Sequence, residues 1–325
     1  MNIYIVERLA ALRRQEIQRE AQQRAAAHAI LEKHRARYRA EAMRRGGRTP
    51  LTPFALLVFW FVGLNALAGA ASLMLAPRHT ASLFFWTIEP ALSAAMFGAL
   101  YLGGGAAVCL LALRGQWEPA RALIPVLTSA GLLISGVTLA HLDRFGGGPR
   151  LAYWLAVYLG AAPLALAVYA AQEELGAIWE AREPVAPAAR ALAAGAGALI
   201  VAAGGALIIW PAPAAAAWPW PITPLMLRVF AAWFAAFGVG LLWFLVDDDW
   251  GRLAILPRML IAAAGLDLAA LLVHRGDLTT TGPRLWLYVA HLIALATLGA
   301  LLHWLQRAAR RAPRAYGPPA RRIAP

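Results

Sequence analysis

Apolar positions along the chain fall into eight long runs separated by short polar stretches. The runs cover roughly 53–76, 90–113, 119–141, 150–171, 189–210, 222–246, 252–273 and 284–306. Each meets the ~20 apolar residues that a helix needs to cross a bilayer. The runs are continuous rather than alternating, and Ala and Leu dominate, so helices are predicted and a β-barrel is disfavoured. Pro53 after Thr52, Pro90 after Glu89 and Pro224 after Thr223 suit the first turn of a helix. Pro125, Pro163 and Pro257 lie inside runs and predict kinks. The predicted fold is an all-α, polytopic membrane protein of about eight transmembrane helices.

Composition agrees. The 325 residues are 61% hydrophobic and 14% charged, with a mean hydropathy of +0.58. Soluble domains are about half apolar and a quarter charged. A disulfide scaffold is excluded, since Cys109 is the one cysteine. No apolar stretch followed by a small-residue cleavage site opens the chain, so no signal peptide is expected.

Charge adds an orientation. Formal net charge is +13. The excess sits at the ends: residues 1–50 hold twelve basic and five acidic residues, and 305–325 hold six arginines and no acid. Beside membrane spans this reads as the positive-inside signal, which places both termini in the cytoplasm. It also predicts affinity for anionic lipid headgroups at the termini. Nucleic acid is not an expected partner, because no basic stripe alternates with exposed aromatics. The expected location is a bacterial cytoplasmic membrane. The external loops are then 77–89, 142–149, 211–221 and 274–283. The cytoplasmic loops 172–188 and 247–251 carry acids, Glu173, Glu174, Glu180 and Glu183 in one and Asp247, Asp248 and Asp249 in the other.

Residues 1–45 read as a basic, amphipathic or solvated cytoplasmic helix, with Ile5, Leu9 and Leu12 on one stripe and Glu16 and Ile17 at its end, lying on the membrane or against a protein partner. Gly46, Gly47 and Pro50 break it. A flexible basic tail is expected over 307–325.

The chain also resembles itself. Trp86-Thr87-Ile88-Glu89-Pro90 recurs as Trp220-Pro221-Ile222-Thr223-Pro224, 134 positions on. Gly131, Leu132 and Asp143 match Gly265, Leu266 and Asp277, and Pro149-Arg150-Leu151 matches Pro283-Arg284-Leu285. Trp117 matches Trp250 with a shift of one. Two tandem four-helix repeats are expected, over 51–180 and 189–306, flanked by the helix at 1–50 and the tail. Four crossings return the chain to its starting side, so the repeats are parallel and their axis runs along the membrane normal. Glycines 103–105, 195, 197, 204 and 205 predict close helix packing. The Ala/Gly-rich fifth run is expected to be central. Trp86, Trp154, Trp218, Trp220 and Trp286 are expected at the external boundary, in the headgroup region.

Ionisable groups inside a bilayer are costly and therefore candidate sites. Arg228, Asp267 and His291 fall at one depth on three helices of the second repeat. They form either a ligand or proton-pathway network or a structural ion pair between two helices. Their first-repeat counterparts are Ala94, Leu133 and Val157. His141 and His274, with His291, invite a metal or haem reading, though no metal-binding spacing accompanies them. Asp247, Asp248 and Asp249 could hold magnesium with Glu173 and Glu174, or terminate a helix in water. Ser135-Gly136 lacks the glycine of an intramembrane serine-protease motif. Phosphate-loop, dinucleotide and nucleophile-elbow motifs are not found.

The doubled W-x-I-x-P entry into a span, at 86–90 and 220–224, resembles a group of multi-pass membrane proteins from bacteria with GC-rich genomes. The resemblance implies the membrane class and no activity or cofactor. The expected function is non-enzymatic, an accessory or assembly subunit that binds a partner. The alternative is a small-solute or proton carrier using Arg228, Asp267 and His291. An enzyme acting on lipid or isoprenoid ranks third. Few polar groups lie mid-bundle, chiefly Asn65, Ser129, Ser135, Thr138, Asp267 and His291, which favours the first reading.

Overall fold

The computed structural model describes residues 3–44, 49–175 and 183–311. A first helix, α1, spans Ile3–Arg44. Eight helices long and apolar enough to cross a membrane follow: α2 (Pro53–Leu75), α3 (Ala91–Arg114), α4 (Trp117–Leu139), α5 (Pro149–Glu174), α6 (Pro187–Ile209), α7 (Pro224–Leu245), α8 (Trp250–Val273) and α9 (Pro283–Arg311). No strand occurs among the described residues. The chain is an all-α, multi-pass membrane protein in a lipid bilayer environment.

Local chemistry sets the ends of these helices. Thr52 and Thr223 cap α2 and α7, their hydroxyls accepting from the amides of Ala55 at 3.1 Å and Met226 at 3.2 Å. Each satisfies one of the N-terminal amides that a helix leaves without a partner. Pro53 and Pro224 follow in the first turn. Pro90 differs from expectation, since it is itself the cap residue of α3 and offers no side-chain acceptor. The orphan Leu92 amide instead donates to Asp277 Oδ2, 2.8 Å away at the far end of α8. Gly115, with φ of 59°, terminates α3 in the left-handed conformation that a Cβ disfavours. Pro125 and Pro257 lie just beyond breaks in α4 and α8, whereas Pro163 lies within an unbroken helix.

Four helices form an inner layer. Between 56% and 72% of the apolar stretch is buried in α3, α4, α7 and α8, against 17–28% in α2, α5, α6 and α9. Contacts come in matching sets. α2 packs on α3 and α6 on α7; α4 packs on α5 and α8 on α9; α4 crosses to α7 and α8 crosses to α3. The α2–α5 half and the α6–α9 half are therefore interlocked through their second and third helices.

The expectation that the Ala/Gly-rich α6 is central is overturned: it is the least buried span, at 17%. Gly197 and Gly204 seat it against α7, and most of its remaining surface faces outward. An ideal Cβ on Gly197 would stand 2.8 Å from the Gly238 carbonyl oxygen, and one on Gly204 would stand 2.9 Å from that of Ala231. Small residues here allow one close contact rather than contacts on all sides. The expected tryptophan belt is also corrected. Trp286 is exposed, but Trp86, Trp154 and Trp220 are buried. Their ring systems pack on Phe84, Phe97, Phe145 and Tyr288. The indole N–H groups of Trp154 and Trp220 donate to Thr138 and Ser93, both at 2.9 Å. A buried indole with a hydroxyl partner no longer needs the headgroup region.

One face of the bundle gathers Pro50, Gln116, Gln172, Pro184, Asp249 and Gln306, and is called the near face below. The segment before α2 pairs with Gln116 as Leu51 donates to Gly115 and Trp117 donates to Thr49, at 3.0 and 2.8 Å. The segment before α6 repeats this: Val185 donates to Asp248 at 2.7 Å and Trp250 to Glu183 at 2.8 Å. Gln172, near the end of α5, accepts from the Thr52 amide at 2.6 Å and donates to the Pro50 carbonyl at 3.2 Å. Gln306, on α9, accepts from the Ala186 amide at 2.8 Å and donates to the Pro184 carbonyl at 3.0 Å. At the opposite, far face, Arg150 and Arg284 donate to the carbonyls of Ala81 and Ala216.

Helix α1 runs 42 residues, about 63 Å at 1.5 Å per residue. Ile17 is 61% exposed and Glu16 is exposed too. The side chains of Ile5, Leu9 and Leu12, the residues Gly46, Gly47 and Glu180, and the tail at 312–325 lie outside the described residues. Leu31, Arg35 and Tyr38 are half-buried at helical spacing, and Arg35 donates to the Glu174 carbonyl at 2.7 Å.

Candidate functional site: polar clusters at the two faces

At the near face, the crossing of α4 over α7 brings Arg121 to Asp247. The Arg121 Nη1–Asp247 Oδ2 distance is 2.6 Å, and both side chains are buried. Arg252, in the first turn of α8, donates from Nε to both Asp247 oxygens at 2.9 Å, and its Nη2 lies 2.7 Å from Oδ1. One carboxylate is thus held between two guanidinium groups, one from each half of the chain. Arg121 also donates to the Tyr169 hydroxyl at 3.1 Å and lies 3.4 Å from Glu173. Glu173 in turn accepts from the Trp117 indole at 3.0 Å. Asp249 accepts from the Arg252 amide at 3.3 Å and caps α8. Asp248 is exposed.

This corrects the magnesium reading of Asp247, Asp248 and Asp249 with Glu173 and Glu174. The inward oxygens of Asp247 and Glu173 are committed to arginines and an indole, and Glu174 meets Arg35 through its backbone carbonyl. No three His, Cys, Asp or Glu among the described residues gather as a metal site would need. A cation would have to displace two guanidinium groups, leaving buried charges unpaired.

At the far face, Arg228 lies one turn into α7. Its Nε donates to the Ile208 carbonyl at 2.8 Å, and its Nη1 lies 2.7 Å from His141 Nε2, just beyond α4. Arginine only donates, so His141 Nε2 is the acceptor and the imidazole is neutral. Burial lowers the His141 pKa, and the Arg228 charge adds to that. Asp143 pushes it up and Arg144 pushes it down.

Asp267 is 3% exposed, and its Oδ1 has no hydrogen-bond partner. The Tyr288 hydroxyl donates to Met96 Sδ at 3.4 Å. His291 sits edge-on to Phe234, ring centroids 5.4 Å apart, and 6.4 Å from the Tyr288 ring. The expected Arg228–Asp267–His291 network does not form, since no ion pair joins Arg228 to Asp267 among the described residues. Helical phase turns Arg228 toward the other half of the chain, while His291 packs on Phe234 and Tyr288. His141, His274 and His291 are likewise not brought together as a metal or haem site; His274 ends α8.

The sequence pattern does not point to Arg121, Arg252, Gln172 or Gln306, which tie the near face together. The glutamines do carry one signal, since they are 134 positions apart and each follows a long apolar run. No family model, curated protein or solved structure matches this chain.

Proposed function

We propose that the protein is a non-enzymatic, partner-binding subunit of a membrane assembly. It would be built from two parallel four-helix repeats in a bacterial cytoplasmic membrane, with both termini in the cytoplasm. The observation that carries this reading is α1. Its described side chains between Arg13 and Ile30 are exposed on all sides. A stretch exposed on all sides buries too little of itself to be held by the bundle. It is suited to docking against a second protein. The arginine excess at both ends supports the orientation and contact with anionic headgroups. The paired backbone and glutamine bonds of the two halves support the repeat. The ion-paired near face supports a structural rather than a catalytic role for the aspartates.

The test is purification of the tagged native protein in mild detergent. A stoichiometric second chain that is lost when residues 1–45 are deleted, with membrane insertion unchanged, is the expected result. A partner-free particle of this chain's mass overturns it.

Asp267 favours a second reading, as a proton or small-solute carrier. A buried carboxylate with an unpartnered oxygen is where such a pathway would leave its mark. On that reading Asp267→Leu abolishes uptake in proteoliposomes while the protein still folds. Loss of folding alone returns Asp267 to a structural role.

A further inference from the structure

A cavity of about 340 Å³ lies within the α2–α5 half, between α2 and α5, with α4, Tyr101 of α3 and Trp233 of α7 behind it. That volume is at the lower end of small-molecule sites. Phe61 and Tyr153, which line it, are 43% and 46% exposed on the outer surfaces of α2 and α5. Those surfaces face lipid, so the cavity is reached from the bilayer.

Its walls are apolar and aromatic. Phe85 and Tyr153 stack nearly parallel, 10° apart, and Tyr101 meets Trp233 edge-on at 5.9 Å. Two polar pairs interrupt them. At the rim Tyr153 donates to Asn65. At the back the hydroxyls of Tyr101 and Tyr158 are hydrogen-bonded to each other. These two tyrosines are 6% and 8% exposed.

The proton count of the second pair is informative. Two hydroxyls carry two hydrogens, and their mutual bond uses one. The other has no protein acceptor among the described residues, and both tyrosines line the cavity. A buried donor without an acceptor is costly, and an incoming carbonyl oxygen would satisfy it. Depth narrows the source. Tyr101 is the eleventh residue of α3, about 15 Å below the far face at 1.5 Å per residue. That is the middle of a hydrocarbon layer about 30 Å thick. Ester carbonyls of bilayer phospholipids sit at its edges. A carbonyl that reaches the middle must belong to a molecule dissolved in the hydrocarbon, and aromatic walls favour a flat ring on which they can stack.

We propose that this cavity binds a membrane-diffusible molecule with a planar carbonyl-bearing ring on an apolar tail, the quinone class of chemistry. The Tyr101–Tyr158 pair donates to a ring carbonyl, and the tail leaves between α2 and α5. The proposal is independent of the partner-binding reading of α1.

The full-length protein in detergent micelles is titrated with decylubiquinone and, as a carbonyl-free control, decylbenzene, following tryptophan fluorescence. Decylubiquinone is expected to bind about three- to tenfold tighter than the control, the worth of one hydrogen bond. Tyr101→Phe with Tyr158→Phe keeps the ring volume and should remove that difference. Val157→Trp, which fills the cavity, should abolish both signals. The melting temperature of each variant without ligand reports whether it folds. Equal binding of the two probes by the wild-type protein would show a pocket for any apolar chain and overturn the proposal, whatever the variants do. Absence of decylubiquinone binding, or a preference that survives the double Phe variant, would also overturn it.

Discussion

The two halves of the bundle share a frame and differ inside it. In both, a buried glutamine ties the last helix to the segment before the first, Gln172 to Pro50 and Thr52, and Gln306 to Pro184 and Ala186. Inside, α6 and α7 approach so closely that the Gly197 and Gly238 backbones touch. In the other half the position matching Ala235 is Tyr101, whose ring lies against Gly69, and the position matching Ala193 is Phe59. The large rings line a cavity between α2 and α5, while α2 and α3 still close on Gly63 and Gly105 as α6 and α7 close on Gly197 and Gly238. The difference teaches that polar bonds at the membrane faces hold the frame, while the apolar interior between them is free to diverge.

The junction between the halves should be the most sensitive point. Asp247→Leu leaves Arg121 and Arg252 buried without their carboxylate and should cost about 3–5 kcal/mol. Chemical unfolding in micelles measures this. Replacing Arg121 and Arg252 by Met, with Glu173→Gln so that no carboxylate loses its arginine, should recover most of the loss. A cost below about 1 kcal/mol for Asp247→Leu would mean that the cluster does not join the halves.

The shared frame predicts equal effects. Gln172→Leu and Gln306→Leu each strand a backbone amide and a carbonyl, at about 2–3 kcal/mol apiece. The same assay should find them within about 1 kcal/mol of each other. A large asymmetry would break the comparison.

The divergent interior predicts unequal ones. A Cβ at Gly63 meets Cys109 Sγ at 2.5 Å, whereas at Gly197 it meets the Gly238 carbonyl. Gly63→Ala and Gly197→Ala should each cost about 1–3 kcal/mol. Cys109→Ala should rescue the first in part, because the sulfur can be trimmed while the Cys109 amide stays 3.2 Å away. The second has backbone in its way and no such rescue. Gly265→Ala, where nothing lies within 4 Å, should be neutral.

The smallest effect is one of pH. His141 is held neutral by burial and by Arg228, with Asp143 opposing and Arg144 assisting. Its folded pKa lies below the unfolded value of about 6.5. Its contribution is therefore complete above that pH and is lost as pH falls toward the folded pKa. Melting temperature measured from pH 8 to pH 5 should decline, and His141→Phe should flatten the decline.

Legibility followed length scale. Every span could be read because crossing hydrocarbon demands about 20 apolar residues in sequence. Pro53 and Pro224 could be read as first-turn prolines because that preference is local. Arg228 could be read as a costly group but not paired, because its partner His141 lies 87 residues away. Trp86, Trp154 and Trp220 have the composition of a headgroup belt. Only packing shows that Phe84 and Phe97 enclose Trp86, and Phe84 and Tyr158 enclose Trp154. The α6 helix misled for a related reason, as small residues mark a close contact without saying how many neighbours share it.

The sequence by itself determined the class, the eight spans and the long basic first helix, since these follow from hydropathy and from backbone bonds that must close within each helix. Tertiary structure alone decided which helices are inner, which carboxylate meets which arginine, and where a cavity opens. Those depend on helical phase and on contacts between residues far apart in the chain, and neither is encoded in any single run.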